Sequence, residues 1–107
     1  MAIRAVFIGV NKYVDPGIRD LTGASRDATA LWATFVDTIP GIQAELVVDG
    51  EATEERIRSA IKGTLNGANQ DVVVVITFSG HGSRDHRLVA HNTTLSSLAT
   101  TTIGMSE

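Results

Sequence analysis

The sequence predicts an α/β fold, a three-layer α/β/α arrangement around a parallel sheet whose strands run in the order 2-1-3 within these 107 residues. Two observations predict it. Short runs rich in β-branched and apolar residues alternate with segments whose apolar residues recur at helical spacing, which gives strand, helix, strand, helix, strand. The last of these runs is too continuously apolar to leave a face in water, as expected of parallel strands covered on both sides and joined by right-handed crossovers.

Ala5 to Val10 is the first strand, ended by polar Asn11 and Lys12. From Val14 to Gly23 the residues Asp15, Pro16, Gly17, Asp20 and Gly23 predict a loop leaving the strand's carboxyl end. Ala28, Leu31, Trp32, Phe35, Val36 and Ile39 then mark an amphipathic helix, with Ser25 as the expected N-cap, Asp27 in the first turn and Pro40-Gly41 as the stop. Leu46-Val47-Val48 is a second short strand, turned by Asp49-Gly50. Thr53 caps a second helix striped by Ile57, Ala60, Ile61 and Leu65, with Glu54 and Glu55 in its first turn and Gly67 at its end. Val72 to Phe78 is the strongest strand signal in the chain. Residues 93–107, rich in Thr and Ser, read as a loop or partly ordered tail.

Composition narrows the function classes. A net charge of −3 with nine scattered Lys and Arg gives no basic patch for nucleic acid. No apolar run is long enough to cross a membrane and the start lacks the layout of a signal peptide, so a cytoplasmic protein is expected. The absence of cysteine excludes disulfides, cysteine zinc sites and any thiol nucleophile within these residues.

In an open parallel sheet of this order, ligands bind outside the carboxyl ends of the strands, where the two crossovers depart to opposite faces. Asn11 and Lys12 end the first strand there, and Ser79-Gly80-His81-Gly82 end the third. Glycines on both sides of His81 let the backbone turn and approach a ligand closely, and N–H groups in such a turn can hold an oxyanion. Ser-Gly-His-Gly can also be no more than a loop after a strand, just as Asp27 can simply favour the helix dipole.

Three segments, Ala5 to Asn11 (AVFIGVN), Gly23 to Ala28 (GASRDA) and Val75 to Gly82 (VITFSGHG), resemble in sequence and order the beginning of the catalytic domain of caspase-like cysteine peptidases, the metacaspases and bacterial caspase homologues. The likeness runs from about residue 3 to residue 92. It implies that residues 1–107 are the N-terminal part of such a domain. It implies that His81 is the histidine of a Cys-His dyad and that the Gly82 N–H belongs to the oxyanion hole. Asp27 and Ser79 match substrate-pocket positions, Asp27 as the acid that holds Arg or Lys before the scissile bond. The comparable position for an aspartate-binding arginine of animal caspases is Leu21 here, which argues against aspartate specificity.

The implied substrate is a protein or peptide, and the implied chemistry needs no cofactor and no metal. In this family the cysteine follows the histidine by roughly 50 residues, whereas only Gly82 to Glu107 follow His81 here. The partner expected is therefore the remainder of the peptidase domain, which carries the cysteine and pairs with the third strand; these residues alone are expected to be inactive. The competing reading is a caspase-like pseudoenzyme or peptide-binding module. A metal site on His81, His86, His91 and Asp85, calcium on loop carboxylates such as Asp15, Asp20 and Asp49, and a serine hydrolase built on Ser79 or Ser83 lack the required spacings.

Overall fold

In the computed structural model, which describes residues 2–66, 71–82, 87–97 and 101–104, the chain forms three parallel strands with two long helices between them. The strands are β1 (Ala2–Gly9), β2 (Gln43–Val48) and β3 (Val72–Ser79), and the helices are α1 (Ala24–Thr38) and α2 (Glu54–Leu65). The sheet order is β2-β1-β3, as the sequence predicts. Two further three-residue strands, β4 (Arg87–Val89) and β5 (Thr102–Gly104), pair antiparallel with each other.

Alternation along β1 sorts its side chains between the layers. Phe7 meets Phe35 of α1 edge-on, with ring centroids 5.2 Å apart, and Gly9 lies against the start of the same helix. Val6, Ile8 and Val10 point the other way, into a core shared with Val47, Ile57 and Ala60 and closed by Val89, Ala90 and Ile103. The helices thus cover opposite faces, as two right-handed crossovers departing in opposite directions require.

Helix α1 departs from expectation at its start. Ser25 does not cap it; the helix begins at Ala24 with Gly23 as N-cap and no side-chain bond from that residue. Asn11, beyond the end of β1, supplies the missing acceptor: its Oδ1 takes the N–H of Ala24 at 2.6 Å and of Ser25 at 3.2 Å, while its Nδ2 donates to the Ser25 hydroxyl. A tertiary acceptor here replaces the local one, satisfying donors that a helix N-terminus leaves unpaired. Helix α2 follows its sequence signals, with the Thr53 hydroxyl accepting from the Arg56 N–H and Ile57 and Ala60 buried. The Gly67 stop lies outside the described residues.

The Thr-rich segment is not merely a loop. Thr102 to Gly104 are buried as β5, and Thr93 is fully buried with its hydroxyl accepting from Ala90 N–H and donating to the Thr101 carbonyl. Hydroxyls that pair locally make threonine admissible in a core, and its β-branch suits a strand. Strand β3 also differs from a strand covered on both sides. Among the described residues it is the sheet edge, and Val73 and Ile76, which point to opposite faces, are 42% and 41% exposed.

The second half of the chain anchors the loop after β1. Val14 N–H donates to the His91 carbonyl at 2.9 Å, His91 Nδ1–H donates to the Lys12 carbonyl at 2.6 Å, and Asp15 accepts from Leu95 N–H at 2.8 Å. The Leu95 N–H, and after it the Gly17 N–H, hold the Asp15 carboxyl below its ordinary value. A carboxylate so depressed contributes stability that is complete above the unfolded value near 3.8 and is lost as pH falls through the lower folded value. The thermal midpoint advantage of wild type over Asp15→Asn is therefore expected to shrink between about pH 5 and about pH 3. A pH-independent difference would refute this role for the carboxylate.

Candidate active site

Register brings the site together. Gly9 pairs with both Val48 and Ser79, so the three parallel strands end level. Asn11, Asp49 and His81 consequently emerge at one edge of the sheet, where the crossovers part. Asp49, at φ 48°, turns its carboxylate to accept the Asn11 N–H at 2.8 Å.

His81 is held at both ends. Its backbone N–H lies 3.2 Å from the Tyr13 hydroxyl, and its ring Nε2 lies 2.8 Å from the Arg19 carbonyl. A carbonyl oxygen only accepts, so Nε2 carries the proton, and in the neutral ring Nδ1 keeps its lone pair. The imidazole can therefore take a proton from a group brought to its Nδ1 side. Tyr13 packs beside it, with ring centroids 5.2 Å apart and planes inclined by 47°. Burial pushes the Tyr13 phenol above its ordinary value, the His81 N–H opposes this, and the charges of Asp49 and Asp20 add to it. The phenol is neutral at physiological pH and can serve as a donor as well as an acceptor.

The two glycines beside His81 have different reasons. Neither has a positive φ; among the described glycines only Gly41 does. At Gly80 a Cβ would stand 3.0 Å from the Phe78 ring and 3.2 Å from the Tyr13 hydroxyl, so a side chain there would crowd both. At Gly82 the nearest atom to a Cβ would be the Arg87 carbonyl at 3.8 Å, which leaves room. Gly82 forms a bridge with Leu88, and the flanking bond from Val89 N–H to the His81 carbonyl marks that bridge as a non-hydrogen-bonded pair. The Gly82 N–H accordingly points away from β4.

A family model for the caspase domain matches residues 2–105 of the chain. The chain belongs to the caspase-domain family. No curated protein and no solved structure matches it. The family is one of cysteine peptidases, and the 2-1-3 parallel sheet flanked by helices is consistent with a caspase-like fold.

Within this caspase domain Ser79 ends β3 and His81 lies two residues beyond it, and Ser79 sits beside Gly9 with its carbonyl accepting the Val10 N–H. Asp27 is exposed on the first turn of α1, and no ion pair engages it among the described residues. No hydrogen bond joins Asp27 to Ser79 or His81 among the described residues; packing connects them, because α1 rests on Gly9 and Gly9 pairs with Ser79. Asp15, Asp20 and Asp49 spend their carboxylates on backbone N–H groups of Leu95, Tyr13 and Asn11. Ser83, Asp85 and His86 lie outside the described residues. The roles of Tyr13, Arg19 and Asn11 escape a reading of the sequence, because each acts through atoms brought near by tertiary folding; the one local signal is an Asn-x-Tyr placed at a strand's carboxyl end.

Proposed function

We propose that this caspase domain supplies the histidine of a Cys-His dyad in a cysteine endopeptidase that cuts after Arg or Lys, the thiol coming from a further polypeptide segment that pairs with β3. The observation that carries the reading is the hold of Arg19 on Nε2 of His81, which leaves Nδ1 as the proton acceptor. In the reaction the thiol gives its proton to Nδ1 and its sulfur attacks the peptide carbonyl carbon. The developing oxyanion is taken by backbone N–H groups, with Gly82 the candidate in this chain. Collapse breaks the C–N bond, and the imidazolium returns its proton to the leaving amine. Water then hydrolyses the thioester by the same two proton transfers.

Asp27, exposed and without an ion pair among the described residues, is suited to receive a guanidinium or ammonium group of the substrate, with Ser79 at the adjoining strand end. The exposed Val73 and Ile76 of β3 suit an added strand and its covering layer. Because the residues present include no cysteine, a second reading persists, a peptide-binding module without hydrolysis.

Reporter peptides ending in Arg, Lys or Asp, offered to the full-length protein, separate the readings. Cleavage after Arg and Lys is expected, with kcat/KM for Arg falling about 100-fold or more in Asp27→Ala, as loss of a charge-assisted pair predicts. Unchanged Arg cleavage in that variant removes Asp27 from the pocket. Binding of peptides without any cleavage supports the second reading.

A further inference from the structure

Tyr13 has no assigned part in the chemistry, yet it contacts the histidine at its main chain and its ring. It is 8% exposed, the most deeply set residue of a loop otherwise partly or fully exposed, and its hydroxyl has one donor and one acceptor use to satisfy. The proton goes to the Val10 carbonyl at 2.8 Å, and the lone pair receives the His81 N–H at 3.2 Å. One oxygen atom thereby ties the exit of β1 to the exit of β3. Gly80 makes room for it, since a Cβ there would lie 3.2 Å from that hydroxyl.

The same residue also governs what the imidazole tip meets. Tyr13 N–H donates to Asp20 Oδ1 at 3.2 Å, and Asp20 is the neighbour of Arg19, whose carbonyl takes Nε2–H. The ring of Tyr13 fills the space beside the imidazole. Backbone, ring face and ring tip of His81 are therefore set by Tyr13, the first two directly and the tip through Asp20 and Arg19.

We infer that Tyr13 is a positioning residue for His81: its hydroxyl fixes the His81 main chain, and its backbone bond to Asp20 fixes the loop whose Arg19 carbonyl selects the Nε2–H tautomer. This rests on the peptidase reading only for its kinetic consequence. A residue held at one end alone would sample rotamers in which Nδ1 faces the wrong way, and small misplacements of a catalytic group are costly in rate.

The test uses the full-length protein labelled with nitrogen-15 in histidine, as wild type and Tyr13→Phe, the latter keeping the ring and losing one oxygen. In wild type the His81 amide proton is expected to exchange slowly and its ring nitrogens to show the Nε2–H tautomer at a pH where the ring is neutral. In Asp20→Ala, which removes the acceptor of the Tyr13 N–H, the ring shifts are expected to move toward a tautomer average, and in Tyr13→Phe the His81 amide is expected to exchange about tenfold faster, as loss of one hydrogen bond predicts. On an Arg reporter peptide kcat is expected to fall about tenfold with KM within about twofold, a split that places the defect in the proton-transfer step. An unprotected His81 amide in wild type overturns the inference without recourse to any variant. Wild-type exchange in Tyr13→Phe, or the wild-type tautomer in Asp20→Ala, overturns it as well. If wild type cleaves no peptide, the peptidase reading fails, and exchange and tautomer still decide the role of Tyr13.

Discussion

His81→Ala is expected to lower hydrolysis of an Arg reporter peptide by about 1,000-fold or more in the full-length protein, in the upper part of the range for loss of a general acid–base group. In the proposed mechanism two separate transfers pass through the ring. Without Nδ1 the thiol keeps its proton at neutral pH, and without the imidazolium the leaving amine departs as a poor anion. The fold is expected to survive. The side chain is half-buried, and removal of its ring hydrogen bond to Arg19 costs about 1 kcal/mol. Measurement of initial rates beside a thermal midpoint separates the effects: a residual rate within tenfold of wild type, with the midpoint preserved, would exclude His81 as the proton carrier.

The largest effect on stability is expected at Gly9. A Cβ there would lie 2.6 Å from the Ala24 carbonyl oxygen, 2.7 Å from the Ala28 Cβ and 2.9 Å from the Ser25 Cα. None of these is the end of a flexible side chain, so the strand and the helix must separate. Gly9→Ala is expected to cost about 2 kcal/mol and Gly9→Val about 3 kcal/mol or more, in the range for overpacking a tight interface. For a domain of this size the valine variant's midpoint should drop by roughly 12 °C or more. Gly50→Ala is the control, because nothing lies within 4 Å of a Cβ there, and its effect should stay within about 0.5 kcal/mol. Equal midpoints for Gly9→Val and Gly50→Ala would refute the account. The displaced helix carries Asp27 on its first turn, so the Gly9 variants should also lose preference for Arg beyond what unfolding explains.

Elements whose signals are local were legible. Strands β1 and β3 carry unbroken apolar runs, α2 carries its own Thr53 cap, and together they dictate the sheet order that puts His81 at the ligand edge. What was illegible depends on contact between distant residues. Asn11 caps a helix that begins 13 residues later, where Ser25 offers the more obvious local oxygen. Strands β4 and β5 are three residues each, too short for a period to show, and Thr102 and Thr93 look like loop residues until their hydroxyls find partners. Of the glycines beside His81, Gly80 is crowded by the Tyr13 hydroxyl and the Phe78 ring, and neither glycine has a positive φ.

The anchoring of the loop after β1 by His91 and Leu95 has a consequence for the order of events during synthesis. Arg19 and Tyr13 leave the ribosome long before the residues that fasten their loop, and such long-range closure is late and slow compared with helix formation. The acceptor that orients the His81 ring gains these anchors only after residues 91–95 have arrived. A nascent chain ending before that point lacks them, so the arrangement defers the organisation of the histidine site until residues 91–95 have been made.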